Sequence, residues 1–142
     1  MSQQLEKYVP IVEDGIRALG VDPATIKGQT FGEWYLQRGS ATVLVKINTV
    51  NAYNGVKDIL VILTAIAKVP TNNKEVLFQK LLEENHKLLN ERFTVFNGQI
   101  CLVSSRDMLG MDAQEVQSMV DGQSYAADLL DDKVREFVAA NA

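Results

Sequence analysis

The sequence has few of the side chains from which covalent and metal-bound sites are built. Its 142 residues include one cysteine, Cys101, and one histidine, His86. A lone cysteine cannot form a disulfide within the chain, which fits a reducing compartment. A zinc site takes three or four nitrogen or sulfur ligands, and two such residues are too few. We therefore expect no disulfide and no metal.

Signals for phosphate and nucleic-acid binding are also missing. Gly28 and Gly32 are followed neither by Lys-Ser/Thr nor by a helix start, so the phosphate-binding fingerprints are absent. The formal net charge is −4, from 14 basic and 18 acidic residues, and the basic residues are scattered along the chain. A nucleic-acid groove would need them in a stripe. We expect no cofactor and no nucleic-acid partner.

The chain has no apolar run of membrane-spanning length. The longest apolar stretch, from Ile59 to Val69, is much shorter than the ~20 residues of a membrane-spanning helix. The N-terminus has neither a positively charged leader nor an unbroken apolar stretch. The expectation is a cytoplasmic protein without membrane contact that forms a single domain over residues 1–142.

Apolar residues at helical spacing predict a first helix that ends at Gly20. Ser2 is its candidate cap. Pro10 removes a backbone donor and clashes with the preceding turn, so the helix either bends there or begins near Val9. From Phe31 onwards the spacing changes to that of strands.

Three strands and a helix follow. GEWYLQ and ATVLVKINTV are joined by a turn at Arg38-Gly39-Ser40, and the turn NAYNG leads into KDILVILTAIAKV. A helix is predicted from about residue 73 to 89, with Asn72 and Glu75 as a capping box.

A hairpin and a last helix complete the chain. Asn97-Gly98 links strands at residues 92–96 and 99–103, and a second capping box, Asp112 with Glu115, opens the helix. The order α-β-β-β-α-β-β-α is that of an α+β domain, an antiparallel sheet with helices packed mainly on one face.

Side-chain alternation assigns residues to the two faces of this sheet. On the core face we expect Val43, Val45, Ile47, Ile59, Val61, Leu63, Phe93, Val95, Ile100 and Leu102. On the opposite face we expect Leu44, Leu60, Ile62, Ile66, Thr94, Phe96, Cys101 and Val103. His86 lies on a helix flank, so it should be on the other side of the sheet from Cys101. A catalytic thiol needs a base within hydrogen-bond reach, and we expect no catalytic residues.

The second face is too apolar to be simply exposed to water. Monomers rarely expose more than a few hundred Å² of contiguous apolar surface, so we interpret it as a dimer or partner-binding surface. The residues assigned to it are Leu44, Leu60, Ile62, Ile66, Phe96 and Val103. Replacing Ile62 with Asp should then break a dimer or abolish partner binding and leave secondary structure intact.

Asn85 interrupts the apolar stripe of the middle helix. A buried amide is costly unless it is hydrogen-bonded, and its best partners are backbone groups where the helix gives way to the RFTVF strand. We therefore interpret Asn85 as a structural brace.

The run LLEENHKLLNERFTVFNGQICLVSSRDMLGMDAQEVQSMV resembles the middle of the YbjN-like proteins, bacterial sensory-transduction regulators that share a fold with type III secretion chaperones. The matching features are the LLxxN helix element (Leu81, Leu82, Asn85), the Arg92-Phe93 hairpin start, the Asn-Gly turn and MLGMDAQEV. The resemblance spans about residues 30 to 138. It implies a compact domain, often a homodimer, whose surfaces bind segments of other proteins.

These observations favour a non-enzymatic protein-binding domain, chaperone-like or regulatory, whose partner is a protein client or a second copy of the chain. The alternative is a small-molecule-binding or enzymatic domain that uses the same apolar face as a pocket. A third interpretation is an adaptor subunit folded around one permanent partner.

Overall fold

The computed structural model describes residues 3–141. The elements in chain order are α1 (Gln3–Glu6), α2 (Val9–Ala18), a 3₁₀ helix (Pro23–Thr25), β1 (Glu33–Arg38), β2 (Ala41–Ala52), β3 (Gly55–Lys68), α3 (Lys74–Asn85), β4 (Arg92–Phe96), β5 (Gln99–Asp107) and α4 (Ala113–Ala140). The strands form one antiparallel sheet in the order β1-β2-β3-β5-β4. The predicted α+β order is confirmed. Within the described range, no helix combines the length and apolarity needed to cross a bilayer.

The predicted first helix is two helices. Pro10 lies in the first turn of α2, where its missing N–H is not needed, so the helix begins at Val9. Of the two alternatives left open by the sequence, this one is correct. Ser2, the candidate cap, lies outside the described residues.

The core lies between the sheet and α4. Inner-face residues of the sheet are fully buried against this helix, among them Val43, Val45, Ile47, Leu60, Ile62 and Leu102. On α4, Val116, Val120, Ala127 and Val134 supply the facing stripe. Because α2 and α3 pack into the same two apolar clusters, the helices lie on one side of the sheet.

The predicted faces of β3 are reversed relative to β2. Val45 pairs with Ile62, and Ile47 pairs with Leu60, so these residues share the inner face. The prediction placed Ile62 and Val45 on opposite faces of the sheet. The reason is the length of the turn: Ala52 pairs with Gly55, so the loop has two residues, and odd positions of β2 pair with even positions of β3.

The β4–β5 hairpin has the predicted register. Phe96 pairs with Gln99, and Phe93 pairs with Leu102. Asn97 and Gly98 both have positive φ, 50° and 73°, as a two-residue turn with the right twist requires. The second strand is longer than predicted, ending at Asp107 instead of Val103.

The two predicted helix caps have different outcomes. At α4, Asp112 accepts a hydrogen bond from the Glu115 N–H (2.8 Å), and the Glu115 carboxylate accepts one from the Asp112 N–H (3.1 Å). This capping box is confirmed. At α3 the cap is Asn73, which has a left-handed backbone and makes no side-chain cap hydrogen bond, so the predicted box at Asn72 is wrong.

Polar contacts fix the position of α4 on the sheet. The buried Gln123 amide donates to the Leu102 carbonyl at 2.8 Å. Asp131 is fully buried and accepts a hydrogen bond from Ser40 Oγ at 2.7 Å. Its charge is paired with Arg135 at 3.2 Å. The turn between β1 and β2 is therefore held against the middle of α4.

Gly15 marks the closest approach of α2 to α4. A Cβ added there would lie 2.6 Å from Val116 Cγ1 and 2.9 Å from the Ala113 carbonyl oxygen. Alanine is the better helix former by about 0.5–1 kcal/mol, but overpacking costs about 1–3 kcal/mol. We expect Gly15→Ala to lower the free energy of unfolding by about 1–2 kcal/mol in urea denaturation.

Gly122 provides the matched control for this measurement. It also lies within a helix, yet a Cβ there would approach only Glu91 Oε2, at 3.8 Å. Gly122→Ala should therefore leave stability unchanged or raise it by up to ~1 kcal/mol. If both substitutions stabilise the protein, α2 and α4 are not in tight contact at Gly15.

Candidate functional site

The outer face of the sheet is the side opposite the helices. Both α3 and α4 contact the sheet through residues of the inner apolar clusters, such as Leu77, Leu81 and Val120. Within residues 3–141, no helix packs on the outer face. An apolar surface there has to be covered by something else or remain in water.

One cross-strand row of large side chains spans the outer face. Tyr35 pairs with Leu44, Leu44 with Leu63, and Leu63 with Val103, which pairs with Arg92 at the opposite edge. Tyr35 is 45% exposed, whereas Val103 is only 5% exposed. The middle of the face is thus continuous and apolar.

This face is concave. Leu44 from β2 and Phe96 from β4 line the same groove of about 330 Å³, although two strands separate β2 from β4 in the sheet. The floor of the groove is formed by Val61, Leu63 and Val103. We call these five residues, Leu44, Val61, Leu63, Phe96 and Val103, the outer groove.

Three of the six residues predicted for this surface belong to the core instead. Leu60 and Ile62 are 0% exposed and lie under α4 in the inner cluster, because the register of β3 is shifted by one residue from the predicted one. Ile66 follows the same alternation as Leu60 and Ile62 and lies in the inner cluster, beside the bulge between Ala65 and Ala67. Leu60, Ile62 and Ile66 are therefore core residues, and the prediction that they form a binding surface is wrong.

The other three predicted residues lie in the outer groove. Leu44 is partly buried, Phe96 is 58% exposed, and Val103 forms part of the floor. Sequence reasoning missed Val61 and Leu63, which it placed in the core. Predicting a two-residue loop at Tyr53-Asn54 would have placed both on the outer face, because the loop length fixes which positions of β2 and β3 share a face.

Few polar groups line the outer groove. They are Lys46, Asn48 and Thr94. Lys46 Nζ lies 3.5 Å from Glu33 Oε1, so its charge is already paired along the edge of the face. The groove therefore offers shape and apolar contact, with little to orient a small polar substrate.

Cys101 and His86 lie on opposite sides of the sheet. Cys101 is 2% exposed and pairs with the outer-face residue Thr94, while His86 is exposed at the end of α3. Burial raises the pKa of the Cys101 thiol, which disfavours the reactive thiolate. Within residues 3–141, no group of three or more His, Cys, Asp or Glu side chains is placed to hold a metal ion.

The Asn85 side chain occupies the free edge of β4. Its Oδ1 accepts a hydrogen bond from the Phe93 N–H at 2.6 Å, and its Nδ2 donates to the Phe93 carbonyl at 3.3 Å. A neighbouring strand would use these same two backbone groups. The carboxamide thus substitutes for a strand at this position of an edge that is otherwise open to pairing.

A second apolar surface lies beside this edge, between α3 and β4. Leu82 is 68% exposed and Val95 is 48% exposed, and both line a shallow groove of about 270 Å³ together with Phe78. We call these three residues the α3–β4 surface.

The chain matches no family model and no curated protein. It does match solved structures. A chain of the HopA1–SchA chaperone–effector complex superposes with a TM-score of 0.60 at 10% sequence identity, covering 91% of this chain and 98% of that one. A chain of the heterodimeric ExoU–SpcU complex from the type III secretion system of Pseudomonas aeruginosa gives a TM-score of 0.58 at 9% identity, covering 86% and 95%.

At these identities the likeness concerns the fold alone. It gives the chain the α+β fold of the type III secretion chaperones, as the sequence predicted. The resemblance to YbjN-like regulators rests on the sequence features alone, because no family model supports it.

We expect Asn85→Ala to destabilise the protein, because it leaves the Phe93 N–H and C=O without partners in a partly buried position. The expected loss is about 2 kcal/mol of unfolding free energy, measured by urea denaturation. Asn90→Ala, an exposed asparagine close by, is the control and should change stability by less than ~0.5 kcal/mol. Equal effects of the two substitutions would refute the brace.

Proposed function

We propose that the chain is a single non-enzymatic protein-binding domain, chaperone-like, that holds a segment of a partner protein in the outer groove. The observation that carries this proposal is the apolar, concave sheet face that no described helix covers. Covering such a face contributes about 25 cal/mol for each Å² of apolar surface removed from water, from which the entropic cost of association is subtracted.

The structural relatives support a protein partner. The two matched structures are a chaperone–effector complex and a heterodimeric type III secretion complex. Their fold therefore occurs in proteins that work by binding another chain. The resemblance to YbjN-like proteins adds a regulatory variant of the same proposal, in which the bound protein is a signalling partner.

The chemistry of the outer groove favours a protein segment over a small substrate. Apolar side chains from β2, β3, β4 and β5 line it, and Lys46, Asn48 and Thr94 are the polar residues among its lining. A sequence segment with two or three apolar anchors suits such a surface, whereas a small-molecule site needs placed polar groups for orientation.

We further propose that two copies associate through the α3–β4 surface. Phe78 and Leu82 are one helical turn apart on α3 and continue onto Val95 of β4. A two-fold axis would place this patch against itself, as in most homodimers. Thr94 and Val95 line both this surface and the outer groove, so a dimer formed here would border the outer groove of each copy.

Matched aspartate substitutions on the two faces of β3 test partner binding. Leu63→Asp puts a charge in the outer groove, so we expect it to abolish capture of the partner from extracts of the source cell. The fold should survive, because the lower strand propensity of Asp costs only about 1 kcal/mol of unfolding free energy. Ile62→Asp buries an unpaired charge, and we expect it to unfold the domain. Circular dichroism separates the two outcomes.

This expectation for Ile62 replaces the one drawn from the sequence, in which the substitution spared the fold. Thr42→Asp, at an exposed site on the outer side of β2, is the binding control. Partner capture by Leu63→Asp at the wild-type level would refute the outer groove as the binding surface.

Light scattering coupled to size exclusion tests the dimer. Leu82→Glu should convert a dimer to a monomer, because it places a charge at the centre of the α3–β4 surface. Leu129→Glu is the matched control, since Leu129 is 54% exposed on α4 away from this surface, and it should leave the dimer intact. A monomeric wild type would refute self-association without bearing on the outer groove.

A further inference from the structure

A third groove lies between α3 and α4, on the inner side of the sheet. It has a volume of about 430 Å³, within the range of ligand sites. Its apolar lining is formed by Leu77, Leu81, Phe93, Leu130, Val134 and Phe137. The remaining lining residues are charged: Lys80, Glu84, Lys87 and Lys133. The groove thus has an apolar floor and a charged rim.

The rim is positive on a protein that is negative overall. Its three lysines face a single carboxylate, whereas the whole chain carries a net charge of −4. Glu84 Oε1 lies 3.3 Å from Lys87 Nζ and 3.9 Å from Lys80 Nζ, so two ammonium groups share one carboxylate. Two positive charges on the rim are therefore not neutralised.

Lys133 has the fewest polar contacts of the three lysines. Within residues 3–141 it makes no hydrogen bond or ion pair. The nearest acids along α4 are engaged elsewhere: Arg135 binds Asp131 at 3.2 Å and Asp132 at 3.5 Å. Glu136, one turn further on, does not line the groove. An anion entering here would meet Lys133 without first displacing a partner.

We propose that this groove binds an amphipathic carboxylate, a medium-chain fatty acid or a similar apolar acid, with its chain on the apolar floor and its carboxylate beside Lys133. Charge complementarity selects the occupant. A neutral apolar molecule would not use the lysines, and a cationic one would be repelled by them. The site is separate from the outer groove, so it does not depend on the proposed protein partner.

Isothermal titration calorimetry of the full chain with sodium decanoate, kept below its micelle concentration, tests the proposal. We expect saturable binding of one decanoate per chain and a melting temperature that rises with ligand. Octanoate, decanoate and dodecanoate should gain about fourfold in affinity per added methylene, because each methylene is buried on the floor.

Paired lysine variants separate the anion site from general apolar binding. Lys133→Gln should weaken decanoate about two- to fivefold and leave the neutral analogue decanol unchanged. Lys74→Gln, on α3 but outside the groove, is the control and should bind decanoate as the wild type does. Both variants change exposed side chains, so neither is expected to impair folding.

Three results would overturn the proposal. The first is the absence of saturable decanoate binding, and the second is an equal effect of Lys133→Gln and Lys74→Gln. The third is Lys133-dependent binding of an acidic amphipathic helical peptide by a protein that does not bind decanoate. That last result would make the groove a protein-docking surface.

Discussion

The rest of the structure depends on the packing of one long helix, α4, across the inner face of the sheet. Its apolar stripe supplies most of the contact, and the buried Gln123 amide fixes the helix over β5 through the Leu102 carbonyl. Asp131, also buried, fixes the β1–β2 turn through Ser40. Because these polar groups lose their partners if the helix slides or rotates, α4 has one favourable position. The other helices then fill the same side, and no helix within residues 3–141 covers the outer face.

The sheet protects part of each edge but not its outer face. At the β1 edge, the Tyr35 N–H donates to the Ile26 carbonyl at 2.8 Å, and the Gly28 N–H donates to the Glu33 carbonyl at 2.8 Å. At the β4 edge, Asn85 takes the place of a strand beside Phe93. Both arrangements discourage pairing with a foreign strand. A partner would therefore bind more readily through side-chain contacts on the outer face than through strand pairing at an edge.

Apart from the cap at Asn72, the sequence predicted what local patterns determine, and it failed where pairing between strands decides. The Asn97-Gly98 turn fixes its own hairpin, so the β4–β5 register was correct. The β2–β3 register depends on whether the loop has two residues or three, and NAYNG is compatible with either. That single ambiguity exchanged Ile62 for Leu63 in the candidate site. The lysine-rimmed groove could not be predicted from the sequence, because it joins residues of α3 and α4 that only tertiary packing brings together.

The composition of α3 is explained by its three surroundings. Leu77 and Leu81 are buried in the core, which is all that packing against the sheet requires. Phe78 is partly buried against the same cluster and, together with the exposed Leu82, lines the groove beside β4. Lys80 lies at the groove shared with α4. Only Leu82 of these apolar residues is largely exposed, and it is the residue of α3 on which the proposed dimer contact depends.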